Sequence, residues 1–410
     1  MNDEMLTKKN ITRKIKDSFS SLGTILFAFF TFGILIWMSV YVIQNGSSLL
    51  SFDFITSDYS AHSYTIKTKD DVNVPLTSYF QNENNDEFFS TRWGVALENG
   101  KSGESDVIYI VNISNDSPFS NLVDAKGNDV KVNADYYITS LTLLQDNGNL
   151  EVFSSRDGAE KMVGALDSSY QIFDGTLTSK GGGIKGSLLT TLCLIGFSLL
   201  FSLPLGIGGA VYLSVYAKDN RLTRTIRTLI DVTSGIPSII FGLAGAIIFI
   251  PFLNSLTHTT GGSIFSGSLT LAMMLLPTII KTVEESINNV PASLPNASLA
   301  LGASKNQTIF KIILPNALPG ILTATLLSIG RIIGESAALI FSMGAIIGDN
   351  VDLLQGQASL AVHIWTSLQG ETPQYGNACA ISIIILSVTL LLSILIKLFS
   401  YLYSRKKGTR

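Results

Sequence analysis

Six stretches of the chain are apolar and almost free of charge, at about residues 22–43, 186–217, 236–253, 269–280, 317–347 and 378–396. Such runs predict helices that cross a membrane. One long block breaks the pattern. From residue 52 to 180 the composition turns polar, with Asn-Gly at 99 and 147, Asp-Gly at 157 and 174, and Lys-Gly-Asn from 126. Between these turn signals, Asp106 to Asn112 and Tyr136 to Leu144 are rich in β-branched and aromatic residues and read as strands. The pattern therefore predicts an all-α membrane protein of six transmembrane helices with an inserted, strand-rich domain.

The basic residues set the expected orientation. Lys8, Lys9, Arg13, Lys14 and Lys16 precede the first run, Lys218, Arg221, Arg224 and Arg227 follow the second, and Lys397, Arg405, Lys406, Lys407 and Arg410 follow the last. Residues 254–267 carry no Lys or Arg. Placing the basic segments inside gives a cytoplasmic N-terminus at 1–21, a first helix at 22–43, an extracytoplasmic domain at 52–180, a core of five helices at 186–399 and a cytoplasmic C-terminus at 400–410. The expected location is the cell membrane, multi-pass, with both termini cytoplasmic. The first apolar run is longer than a signal-peptide core and lacks a small-residue cleavage site, so it reads as an uncleaved helix. The second contains Pro204, Gly206, Gly208 and Gly209, which suits a kinked, closely packed helix.

Composition narrows the function. Charged residues make up 14% of the 410, and the mean hydropathy is +0.37, against about 25% charged residues in soluble domains. The net charge of −3 and the lack of a long basic run recommend no nucleic-acid partner. Cys193 and Cys379 sit in apolar runs as packing residues, and His62, His258 and His363 have no ligand spacing, so no metal is expected. Gly181 to Ser187 fails as a phosphate-binding loop, because Lys185 precedes Gly186 instead of following it. Any ATP hydrolysis must come from elsewhere.

Residues 296–315 form a half-polar stretch between two apolar runs, within an expected cytoplasmic loop at 284–316. Pro295 suits a first helical turn, Gly302 a C-terminal cap in the left-handed region, and Ser304 with Gln307 a capping box. Two short helices result. The second is expected to stop at Leu314 before Pro315, with Ile309, Phe310, Ile312 and Ile313 as an apolar face. By residue type alone this elbow is either a linker or an interface. Arg331 and Glu335 are the formal charges inside the fifth run. A rise of 1.5 Å per residue puts Arg331 roughly 21 Å from Ala317, near mid-membrane, where a charge costs roughly 2.5–3.5 kcal/mol. Gly320, Ala324, Ser328, Arg331, Glu335 and Ala338 follow at steps of three or four and predict one helical stripe. The two charges line a pathway or form an i,i+4 ion pair.

The spacing of Ala297, Gly302, Ile312, Leu314 and Pro315 resembles the coupling loop of ABC-importer permeases, which reads Glu-Ala-Ala-x3-Gly-x9-Ile-x-Leu-Pro. Asn296 stands here for the Glu and Ser298 for the second Ala. Leu50 to Thr56, Gly181 to Leu189, Asp231 to Gly242, Lys281 to Pro291 and Ser328 to Glu335 are similar to the A-type permease of phosphate transporters. Residues 57–180 have no counterpart in that family, and Ala338 replaces its usual Pro. The resemblance implies a type I importer permease that moves inorganic phosphate by alternating access and is not itself an enzyme. It implies four kinds of partner: a second homologous permease, a dimer of ATP-binding subunits, an extracytoplasmic phosphate-binding protein and membrane lipid. It implies no cofactor on this chain, ATP and Mg being used by the ATP-binding partner. The elbow residues Ala297, Gly302, Ser304, Ile309, Phe310, Ile312, Leu314 and Pro315 would then dock on the ATPase. Arg331 would meet phosphate, Glu335 would orient it, and Ser328 would share their stripe. A sulfate, molybdate or phosphonate permease, or a membrane-anchored sensor or enzyme acting through the outer domain, are the alternatives.

Overall fold

A computed structural model describes all residues except 1, 70–73, 75–79, 83, 85, 103, 104, 135, 180, 370–372 and 407–410. The expected C-terminal cations Lys407 and Arg410 thus lie outside the described residues. The chain forms two compact units, Ser57–Gly183 and the remainder, Met1–Thr56 with Ile184–Arg410.

Helix α1 (Asn2–Gly46) runs through both the basic N-terminus and the first apolar run, and α2 (Phe52–Thr56) follows it. The unit Ser57–Gly183 then builds an antiparallel sheet from β1 (Ser63–Thr68), β2 (Phe88–Ser90), β3 (Val95–Ser102), β4 (Ser105–Ile113), β5 (Asn121–Asp124), β6 (Asp129–Lys131), β7 (Tyr137–Gln145), β8 (Leu150–Ser154) and β9 (Ser169–Thr178), with α3 (Ala159–Asp167) before the last strand. The strand order is β2-β3-β4-β7-β9-β1-β5-β6, with β8 also paired to β7. Alternation drives this sheet. Along β7, Ile138, Leu141 and Leu143 are buried, and they meet Ile66, Trp93, Ile108, Ile110 and, from α3, Met162 and Leu166. Each large side chain buried there contributes about 1.5–3 kcal/mol. The two strands expected from the sequence lie in β4 and β7. Gly127, Gly148 and Gly158 sit in turns at positive φ. Asn99-Gly100 and Asp174-Gly175, expected as turns, lie instead inside β3 and β9. A Cβ on Gly100 would fall 2.5 Å from the Tyr109 ring, and one on Gly175 2.6 Å from Leu141 Cδ2. These glycines make room for a neighbour rather than turn the chain.

The helical unit resumes with α4 (Lys185–Val211), extended by a π-helical turn at Tyr212–Tyr216. It continues through α5 (Arg221–Ser234), α6 (Ser238–Thr257), α7 (Ile264–Asn288), α8 (Ser293–Ala300) and α9 (Lys305–Thr308). A second π-helical turn at Ile309–Ile313 leads into α10 (Leu314–Gly334), followed by α11 (Ala337–Ser342), α12 (Leu360–Gln369) and α13 (Tyr375–Lys406). Among the described residues, six helical segments are long and apolar enough to cross a membrane: Ser21–Leu49, Lys185–Tyr216, Ser238–Thr257, Ile264–Asn288, Lys305–Gly334 and Tyr375–Leu398. The whole chain is therefore α plus antiparallel β, with the all-α description holding for this unit alone. Its axis is α7, 61% of whose most apolar stretch is buried, against none of α1's. Small residues bring the neighbours close: a Cβ on Gly206 of α4 would fall 2.5 Å from Ile279, and one on Gly320 of α10 2.1 Å from Ser286.

The helices correct two expectations. The fifth span, expected at 317–347, starts at Lys305 and ends at Gly334, because Glu335 turns extended at φ −83°, ψ 122°. The basic segment after the second span, expected as a loop, is the amphipathic helix α5, whose Asn220 cap accepts from Thr223 N at 2.9 Å.

Candidate functional site

The elbow between α7 and α10 is built by local rules. Gly302 follows α8 at φ 84°. Its N–H donates to Leu299 O at 3.0 Å and Ala303 N–H to Ser298 O at 3.2 Å, the paired bonds of a Schellman stop. Ser304 Oγ accepts from Gln307 N at 3.2 Å while Gln307 Oε1 accepts from Ser304 N at 2.9 Å, which starts α9. A bond of 2.9 Å between the Ser298 and Thr308 hydroxyls ties the two short helices together.

The second helix does not stop at Leu314. It widens into the π turn, with Leu314 N–H donating to Ile309 O, and runs on into α10 with Pro315 in the first turn. The wider turn absorbs a proline that has no N–H to give, and Asn316 Nδ2 donates to Ile312 O at 2.6 Å. This geometry also divides the expected apolar face. Ile309 is 2% exposed and Ile313 7%, both inside the chain's own core, whereas Phe310 is 71% exposed. Ile312, Leu314 and Pro315 are half-buried, and Ala297 is exposed. Leu301, which sequence reasoning does not single out, is 90% exposed. Its signal is a large apolar residue at a helix stop, directly before the capping Gly302. Tyr216, at the end of the second span, is likewise not evident from the sequence. Its hydroxyl donates to Asn306 Oδ1, and Lys305 Nζ lies 4.7 Å from the centre of its ring.

In the core, Arg331 is half-buried, and Nη1 donates to Thr278 Oγ1 at a long 3.4 Å. Thr278 stands roughly 21 Å along α7 at 1.5 Å per residue, so the guanidinium lies near the middle of the bundle's height. A Cβ added at Gly330 or Gly334 would meet nothing within 4 Å, so α10 has an open side next to Arg331. The predicted single stripe is broken. Glu335 lies past the helix end, where Oε1 accepts from Ala338 N at 3.1 Å and caps α11, so the i,i+4 pair is not formed. Ser328 is fully buried, and its hydroxyl donates to Ala324 O at 2.8 Å. It packs the helix with its hydroxyl proton given to the backbone.

The cations nearer the elbow are held differently. Arg227 Nη2 lies 2.9 Å from Glu284 Oε1 and donates to Leu213 O at 2.9 Å. Lys281 Nζ lies 2.7 Å from Asp231 Oδ1 and donates to Ser234 Oγ at 3.0 Å. Among the described residues no carboxylate pairs with Arg331. At the opposite end of α4, Ser187 Oγ shares a 2.9 Å hydrogen bond with His363 Nδ1, and Thr190 Oγ1 donates to Gln357 Oε1 at 3.1 Å. Burial pushes the His363 imidazole down to about 4, so it is neutral. Among the described residues no group of three His, Cys, Asp or Glu could hold a metal ion.

Six helical segments long and apolar enough to cross a membrane, packed around α7, define a multi-pass membrane protein. Residues 202–408 match the family described as binding-protein-dependent transport system inner membrane component, and the chain belongs to that family of multi-pass membrane transport subunits. It is 36% identical over 225 residues to the probable ABC transporter permease protein YqgI of Bacillus subtilis, covering 52% of this chain and 75% of that one. It is 34% identical over 218 residues to the phosphate transport system permease protein PstA 1 of Mycobacterium tuberculosis H37Rv, covering 51% and 68%. Among solved structures, the inward-facing MetNI methionine ABC transporter aligns with 54% of this chain and 95% of its own, at a TM-score of 0.44 and 22% identity.

Proposed function

We propose that this chain is the subunit through which inorganic phosphate crosses the cell membrane in an ATP-driven importer. The observation that carries this reading is Arg331, a guanidinium at mid-height beside an open side of α10, hydrogen-bonded to Thr278 alone among the described residues. A cation left without a carboxylate is poised for an anion that comes and goes. Several relatives named as phosphate permeases support phosphate as that anion.

In this reading the termini and elbow are cytoplasmic and the unit Ser57–Gly183 is extracytoplasmic. A second permease completes the pathway, a binding protein delivers phosphate, and a dimer of ATP-binding subunits, using ATP and Mg, grips the elbow through Leu301 and Phe310. Closure of that dimer pushes on α9, which is continuous with α10, so the motion reaches Arg331 along one helix. The test is uptake of labelled phosphate by cells carrying Arg331→Gln in the complete transporter. Loss of uptake with the complex still assembled supports the assignment, and near wild-type uptake refutes it.

A further inference from the structure

Thr278 and Lys281 are one turn apart on the same side of α7, so Lys281 follows the Arg331 contact by roughly 4.5 Å toward the elbow. Its ammonium faces α5, where Asp231 and Ser234 hold it. Both residues come from the last turn of α5, just before the break at Gly235 to Pro237 that separates this helix from α6. Helix α5 is fastened to α7 by this contact and by Arg227 with Glu284. The opposite face of α5, through Leu222, Leu229 and Val232, is exposed.

We infer that Lys281 is a second oxyanion contact, masked by Asp231 while α5 is clasped to α7 and unmasked when α5 swings away. The charges fit this role. With the clasp closed, Lys281 and Arg227 are neutralised by Asp231 and Glu284, and Arg331 alone faces the pathway. With it open, Lys281 joins Arg331 and Thr278 in a cradle of two cations and a hydroxyl, one helical turn deep, which suits a doubly charged tetrahedral anion. Asp231 then acts as a resident anion that phosphate must displace, which couples passage of the substrate to movement of α5. This inference rests on the pathway reading of Arg331.

The experiment compares Lys281→Gln, Asp231→Asn, the double variant and Arg331→Gln in the complete transporter, reading labelled phosphate uptake, ATP-independent phosphate exchange and the amount of complex. Lys281→Gln is expected to lower uptake by about tenfold to a hundredfold, the weight of one charge-assisted hydrogen bond, and Lys281→Arg to recover most of it. Asp231→Asn is expected to raise ATP-independent exchange, and the double variant to remain as inactive as Lys281→Gln. If the double variant regains uptake, the pair is only structural and the inference fails. If Lys281→Gln transports normally while Arg331→Gln does not, the second contact is refuted and the pathway survives. If both transport normally, the pathway reading falls as well.

Discussion

Arg92 and Arg331 are both drawn in from the surface, the first buried and the second half-buried, and they are treated in opposite ways. In the sheet unit, Arg92 is 4% exposed. It gives Nη1 to both oxygens of Asp146 at 2.8 and 3.0 Å, Nη2 to Asp146 at 3.0 Å and to Val74 O at 3.0 Å, and Nη1 again to Asp167 O at 3.3 Å. Arg331, in the helical unit, makes one hydrogen bond among the described residues, at 3.4 Å. Folding requires that a buried charge be neutralised, and Arg92, although its buried Nε has no hydrogen-bond partner among the described residues, meets that demand through both Nη groups. Arg331 departs from it at a place where packing alone would favour an apolar residue. On the proposed reading, Arg331 is kept for an anion that is not part of the protein.

The sharpest way to break this contrast is to remove each charge and read stability. Arg92→Ala should destabilise the sheet unit by about 3–5 kcal/mol, since it strands Asp146 and two backbone carbonyls. Hydrogen exchange of β3, β7 and β9 in the full chain would report it. Arg331→Gln should leave the exchange of α7 and α10 near that of the wild type but lower phosphate uptake about a hundredfold. If Arg331→Gln loosens α7 as Arg92→Ala loosens the sheet, the two arginines are alike and the contrast is gone.

A third buried polar group sharpens it. His363 is held neutral, with its pKa pushed down to about 4. Its folded pKa lies below the unfolded value of 6.5, so the unfolded chain takes up a proton first and stability is lost as pH falls from 6.5 toward 4. Thermal melting in detergent should show a loss of about 2 kcal/mol between about pH 6.5 and 5, reduced in His363→Gln. Smaller still is the elbow. Nothing lies within 4 Å of a Cβ added at Gly302, so Gly302→Val strains only the backbone, at about 1–2 kcal/mol. Co-purification with the ATP-binding partner should weaken while insertion of the chain in the membrane is unchanged.

What the sequence made legible was what local chemistry decides. Apolar length gave the spans, and Gly302, Ser304 and Gln307 gave the elbow, because hydropathy and caps act within a few residues. The misread glycines, Gly100 and Gly175, answer to Tyr109 and Leu141 on neighbouring strands. The break after Gly334 was hidden because the apolar run continues to Ile347, and only the capping bond from Ala338 to Glu335 shows that the helix has ended. Helix α5 was hidden because its arginines suggested a loop. The Arg331 contact needed Thr278, 53 positions away.

The π turn at Ile309–Ile313 governs how the elbow is aimed. A helix is a screw, and one residue more in a single turn rotates the segment before it by about 100° relative to the segment after it. The bearing of Phe310 and Leu301 is thus a phase set by one surplus residue, while Ile309 and Ile313 stay seated in the core. Deleting one residue from that turn would leave composition, caps and span length almost untouched, yet it would point the elbow at a different compass heading. The Tyr212–Tyr216 stretch carries a second such offset, and Tyr216 bonds to Asn306, so the two phases are locked to each other.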